Sequence, residues 1–334
     1  MPLTATDRQL LDECAAVIDV PKAAAPTSFV LHAPLELLAR VLLLERLPED
    51  RRAEGRARIR WVADEYLAAG PSATEPAPPT NATAEDVVCS LAAAGHAPIL
   101  HSLRPRVDAV APSFGDALVA TEIGRNPTWT LAWPRGRSVE GASSNDLEAR
   151  LAAPRSPGDP GSDFIYPTMH LTDSSGLAAE VLDAPLRGMA VADARRTLLR
   201  VAAQSMLQDN PDAAPYGWTH CLTMPQAVLV AADHGADSDV CIAVAALYVL
   251  GFRATQGRVR LDPSRLPAPT SADRRAELVD ELIEFGVAHP DAHVAKYTLA
   301  CLDAAADDPE AADLFLAAAA HLHAWWRAAA APAG

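Results

Sequence analysis

The sequence predicts an all-α protein, a compact array of about ten helices joined by Pro-rich loops. Three observations carry this. Apolar residues recur at three- and four-residue spacing through most of the chain, the period of one helix face. There are 28 prolines and 17 glycines, and the proline clusters fall between apolar runs rather than inside them. The one alternating stretch, Trp129, Leu131 and Trp133, is too short to specify a strand. At 334 residues the chain is long enough to bury a substantial core, and it reads as a single domain over 1–334.

Taken in order, 34–47 carries the first helical pattern and 51–67 repeats it, with Ile59, Val62 and Tyr66 on one stripe. Gly70-Pro71 ends that helix. A Pro/Thr/Ala linker follows over 71–83, where Thr83 with Asp86 three residues later caps a helix reaching Ala94 before Gly95. Another helical pattern spans 105–123. The stretch 135–163, rich in Pro, Gly, Ser and Arg, reads as a mobile loop with a short helix near Leu147, a candidate lid over a cleft. The chain resumes at Phe164 to Asp173, and a helix is expected over 191–208. After the turn Asp209-Asn210-Pro211, helices run to Ala232 and over 239–250. Thr270 with Asp273 opens another. Asp308-Pro309-Glu310 starts the last, ending near Arg327, because Asp caps and Pro fits the first turn.

With 43 acidic against 28 basic residues the formal charge is −15, which opposes phosphate backbones and anionic lipid and excludes nucleic acid as the expected partner. The segment Met1 to Arg8 lacks a basic flank followed by an apolar run, so no signal peptide is expected. The most apolar stretches, 228–232 and 242–251, are short and interrupted, so no membrane span is expected and the protein is placed in the cytoplasm. Five cysteines, Cys14, Cys89, Cys221, Cys241 and Cys301, are widely spaced without a Cys-x-x-Cys pair and read as buried reduced thiols.

The chain is organised around His289-Pro290-Asp291-Ala292-His293-Val294-Ala295-Lys296. Pro290 suits the first turn of a helix and Asp291 its positive end, so a helix is expected to begin there. His293 and Lys296, three apart, then share a face, and His289 could join them. Only two of the basic residues are lysine, Lys22 and Lys296. Lysine, unlike arginine, gives up its proton when buried, which makes Lys296 a candidate for chemistry. The plainer reading is a lysine that snorkels its charge to solvent or pairs with Asp303 or Glu284.

Ten histidines are present, and imidazole is the commonest transition-metal ligand. His32 precedes an apolar helix, His96 follows Gly95, and His170 and His220 sit in small or aromatic contexts with a Thr two or three residues later. His234, His321 and His323 fit ordinary places near helix C-termini. Gly-x-Gly-x-x-Gly, Walker, His-Glu-x-x-His and Gly-x-Ser-x-Gly motifs are all missing, and with them the usual marks of nucleotide, flavin and hydrolase chemistry. Cys221 beside His220 is a weak thiol-nucleophile pairing, since adjacent side chains point apart.

Four segments in order carry a likeness: Phe29-Val30-Leu31-His32-Ala33-Pro34, Ala94-Gly95-His96-Ala97-Pro98-Ile99, Trp218-Thr219-His220-Cys221-Leu222-Thr223, and His293-Val294-Ala295-Lys296-Tyr297-Thr298-Leu299-Ala300-Cys301. On these the chain resembles the questin oxidase-like proteins over nearly its whole length. The resemblance implies an all-helical, O2-dependent oxidoreductase that inserts oxygen into an aromatic polyketide or related ring. It implies a non-haem iron held by His32, His96, His220, His293 and Lys296, the lysine carrying a CO2-derived carbamate, with NADPH as a reductant. His170 is implied as a further ligand or as a catalytic acid/base facing a small aromatic substrate. Pro98 and Pro225 depart from the family's pattern around His96 and His220. Trp129, Trp133, Trp218 and Tyr166 are candidates to line an apolar pocket. The competing reading is a non-catalytic helical protein that binds a small ligand or partner, its histidines structural.

Overall fold

The computed structural model describes residues 3–18, 22, 28–71, 132–138, 140–161, 165–233, 237–265, 267–268 and 270–330. Among them the fold is all-α, with no strand. The 71–83 linker beyond Pro71, the Thr83 helix, His96, the 105–123 helix, Cys89, Trp129, Leu131 and His234 lie outside the described residues. The helices are α1 (Ala5–Ile18), α2 (Ser28–Arg46), α3 (Ala53–Ala68), α4 (Ala132–Gly136), α5 (Leu147–Ala152), α6 (Ile165–Ser174) and α7 (Leu177–Leu182). They continue as α8 (Val191–Gln208), α9 (Thr219–Asp233), α10 (Ser238–Gln256), α11 (Ala272–Ala288), α12 (Ala292–Asp307) and α13 (Ala312–Ala330). Contacts gather the chain into two units, the first drawn from Met1–Pro127 and Ala272–Leu299, the second from Thr128–Ser271 and Ala300–Gly334.

In the first unit α1, α2, α3 and α11 pack on one another. The sequence reading passed over α1, although its start was legible as a Thr-x-x-Asp capping box. Thr4 Oγ1 accepts the Asp7 amide at 3.1 Å, and Asp7 Oδ2 accepts the Thr4 amide at 3.0 Å. Leu10, Cys14 and Ile18 then bury one face of α1, and α3 buries the expected Ile59, Val62 and Tyr66 stripe. A methyl group on Gly55 would come within 2.8 Å of Leu44 and Val287, so glycine is what lets α3 lie close to α2 and α11. Lys22 donates to the carbonyls of Leu67 and Gly70, satisfying the C-terminal end of α3 where cations are favoured.

Asp7 also accepts from Arg52 at 2.6 Å and from Arg56 at 2.7 Å. Burial alone would raise its carboxyl, but the hydrogen bonds from Arg56, Thr4 and Arg52 outweigh it and hold Asp7 well below the usual carboxylate range. A depressed folded-state value means that the stabilisation is present above the unfolded pKa of about 4 and is lost as pH falls below it. Asp7→Asn is therefore expected to cost about 2 kcal/mol at pH 7 in urea unfolding, and to cost less as the solution is acidified below about pH 4.

The second unit is built around α10, which packs against α4, α5, α6, α7, α8 and α9. The apolar run read as 242–251 belongs to a longer helix of 19 residues, the one described helix long and apolar enough by length and composition to cross a bilayer; 72% of its apolar window is buried inside the protein. Gly251 faces Met169, whose sulfur a methyl group would approach to 2.7 Å, so α6 crosses α10 there. The 191–208 helix forms as expected and 135–163 contains the short helix at Leu147. Two stretches to which no helix was assigned are helical, and one expectation, the end of the last helix, is corrected. The stretch from Phe164 is helical from Ile165, and Trp133 lies in α4 rather than in an alternating run. The last helix continues to Ala330, so His321 and His323 sit in mid-helix and the C-terminal dipole does not explain them. Burial pushes the His321 imidazole below its ordinary value, and His323 is buried at 2% exposure.

Candidate functional site

α12 does not begin at Pro290 as expected but two residues later, with Asp291 standing ahead of it. Asp291 Oδ1 accepts the His293 amide at 2.7 Å, the bond of an N-cap, which a first-turn Asp could not make. The same oxygen lies 2.9 Å from His293 Nδ1. Burial would raise the Asp291 carboxyl, but hydrogen bonds from His293 and the charge of Lys296 outweigh it and hold it below its ordinary value. An ionised carboxylate only accepts, so a proton sits on His293 Nδ1, the tautomer that in a neutral ring puts the lone pair on Nε2. Carboxylate-oriented imidazoles of this kind are the usual form of a metal-ligating histidine.

Lys296 follows three residues later on α12 and is 2% exposed. Its Nζ lies 3.1 Å from Nδ1 of His32, which arrives from α2. The His32 and His293 rings meet edge to face with centroids 4.5 Å apart. Three of the five residues singled out as metal ligands, 264 positions apart at their widest, thus converge in the first unit. The pairing of Lys296 with Glu284 is not what forms: Glu284 is bound by Arg51. His289 turns to a different task. Its Nδ1 accepts the Asp291 amide at 3.1 Å, and burial lowers its pKa, so the neutral ring braces the turn.

Backbone ahead of α12 is held by α2 and α3. Arg40, fully buried beside Glu36, donates to the carbonyls of Gly286 at 3.2 Å, Val287 at 2.6 Å and His289 at 2.6 Å. The first two are carbonyls that the last turn of α11 leaves without an intrahelical partner, and His289 lies just past its end. Arg58 donates to the Pro290 carbonyl. Sequence reasoning missed Glu36, Arg40 and Arg58, although the four-residue spacing of His32, Glu36 and Arg40 was visible.

The other singled-out residues lie elsewhere. His96 is outside the described residues. His220 belongs to the second unit, where it is buried and its Nδ1 donates to the Tyr216 carbonyl at 2.6 Å, leaving the lone pair on Nε2. Tyr216 lies in a π-helical turn, Ala214–Trp218, the kind of irregularity that re-aims side chains near functional sites. His170, expected as a ligand or acid/base, is exposed on α6 in the same unit. Trp218 is core rather than pocket wall, with no exposure and its Nε1 donating to the Asn210 carbonyl at 2.8 Å. Trp133 Nε1 is bound to Asp183 at 2.7 Å.

Cys221 is fully buried and burial pushes its thiol up to about 12, so it is a poor nucleophile. Cys14, Cys221, Cys241 and Cys301 are all buried thiols, in line with the expectation of buried reduced cysteines.

For a metal, the donor chemistry of His32, His293 and Lys296 fits, with Asp291 fixing one ring. Among the described residues no three His, Cys, Asp or Glu side chains form a metal-holding group. The chain matches no protein-family model, no curated protein and no solved structure.

Proposed function

We propose that the His32, His293 and Lys296 cluster is the centre of a metal-dependent oxidoreductase of the questin oxidase-like kind, acting with O2 on a small aromatic substrate. The observation that carries this is the buried Lys296 amine, 3.1 Å from an imidazole nitrogen. A solvated lysine needs neither the burial nor the imidazole neighbour. Non-haem iron held there would supply O2 binding and redox chemistry. A CO2-derived carbamate on Lys296 would place an anionic oxygen among neutral nitrogens, the donor set that balances a divalent cation. Asp291 holds the His293 proton at Nδ1 and presents Nε2 in one orientation. NADPH is the reductant this reading carries with it.

The test measures iron content and O2 uptake with hydroxylated anthraquinones, for the wild-type protein and for His32→Ala. The expected result is bound iron and substrate-dependent O2 uptake in the wild type, both lost in the variant. A wild-type protein that binds no iron, or a variant with unchanged uptake, overturns the proposal and favours a non-catalytic ligand-binding protein.

A further inference from the structure

His32, Glu36 and Arg40 follow one another at four-residue steps, so they lie along one face of α2. His32 and Arg40 reach the chain segment 286–296, and Glu36 between them binds Arg40. His32 meets Lys296 and His293. Arg40 Nε and Nη2 bind Glu36 Oε1 at 2.9 and 2.6 Å, and its remaining hydrogens go to the carbonyls of residues 286, 287 and 289. Arg58 stands 3.6 Å from Glu36 and takes the carbonyl of residue 290. From there a single series of bonds leads to the imidazole: Arg40 to the His289 carbonyl, His289 Nδ1 to the Asp291 amide, Asp291 Oδ1 to His293 Nδ1.

A buried ion pair is a poor device for stability alone, because apolar residues of similar volume usually do as well. What the Glu36–Arg40 pair adds is directional. A planar fork with five donors can satisfy two elements at once in only one rotational setting of α2, whereas a lysine at position 40 would offer one point charge and no fork. That setting is the one that turns His32 toward His293 and Lys296. We infer that Arg40, oriented by Glu36, is the positioning residue of the proposed centre, holding the 286–291 turn against α2 so that Asp291 fixes the His293 ring opposite His32. This rests on the reading of those side chains as the centre.

The experiment compares Arg40→Lys and Glu36→Gln with Arg52→Lys. Arg52 is another buried arginine of the same unit, bonded to Asp7 and the Leu47 carbonyl, and has no bond to the turn. NMR of protein labelled with 15N-histidine reads the hydrogen-bonded Nδ1 proton of His293, assigned with His293→Gln, and Co2+ titration reads affinity. The wild type is expected to show a slowly exchanging Nδ1 proton for His293, distinct from that of His220, which disappears in His293→Gln. Arg40→Lys and Glu36→Gln are expected to lose that signal and bind Co2+ about 10- to 100-fold more weakly, whereas Arg52→Lys lowers the melting temperature without changing either.

A His293 Nδ1 signal that survives in Arg40→Lys, or that disappears equally in Arg52→Lys, overturns the inference. If Arg40→Lys does not fold, Glu36→Gln decides by the same two readouts. A wild type that binds no Co2+ defeats the metal reading of the centre, while the Nδ1 comparison still decides whether Arg40 positions the ring.

Discussion

Lys296→Met is expected to leave a folded protein whose iron content and substrate-dependent O2 uptake both fall by at least about 100-fold, the upper range for loss of a supporting group at a metal site. Methionine has similar length and helix propensity and suits a buried position, so α12 should form as before. Asp291 loses the charge of Lys296 but keeps both hydrogen bonds from His293, so the N-cap survives. The melting temperature is therefore expected to stay within about 5 °C of the wild type. Metal analysis, O2 electrode traces and a thermal scan on the same preparation check this. A Lys296→Met protein with full iron and full turnover would return the lysine to an ordinary core role.

Arg253→Met is expected to cause a large loss of stability, about 4 kcal/mol, read as a melting temperature lower by roughly 10 °C. Arg253 is 2% exposed on α10 and is paired with Asp209, whose side chain is wholly buried. Its guanidinium also donates to the carbonyls of Leu151 at 3.2 Å, Ala152 at 2.8 Å and Val259 at 2.9 Å. Asp209 in turn accepts the amides of Asn210 and Arg258, each at 2.7 Å. Methionine would fill much of the volume but would leave a buried carboxylate uncompensated and take the arginine donor from the Leu151 and Val259 carbonyls, while Ala152 keeps the Leu261 amide. Adding Asp209→Leu should recover part of the loss, because the uncompensated charge is then gone; a double mutant no more stable than Arg253→Met would contradict this account.

The sites of these two substitutions differ in how visible they were beforehand. Lys296 stood out in the sequence because it is one of only two lysines, placed three residues after a histidine on a helical pattern. Arg253 did not stand out, being one arginine among many, and its role depends on residues 209, 151–152 and 259 meeting it from other elements. The thiol-nucleophile alternative at Cys221, already weak from its spacing, is further disfavoured by burial, which sets the thiol's pKa and which neighbours in sequence do not report.

Hydrophobic period and punctuation alone determined that this protein is helical and where helices such as 191–208 begin and end, because both follow from interactions within four residues. The convergence of His32 on Lys296, across 264 positions, and the bracing of the turn before α12 by Arg40 were decided only in the tertiary structure. A guanidinium fork and an imidazole pairing depend on the rotational setting of one helix against another, and no local spacing fixes that angle.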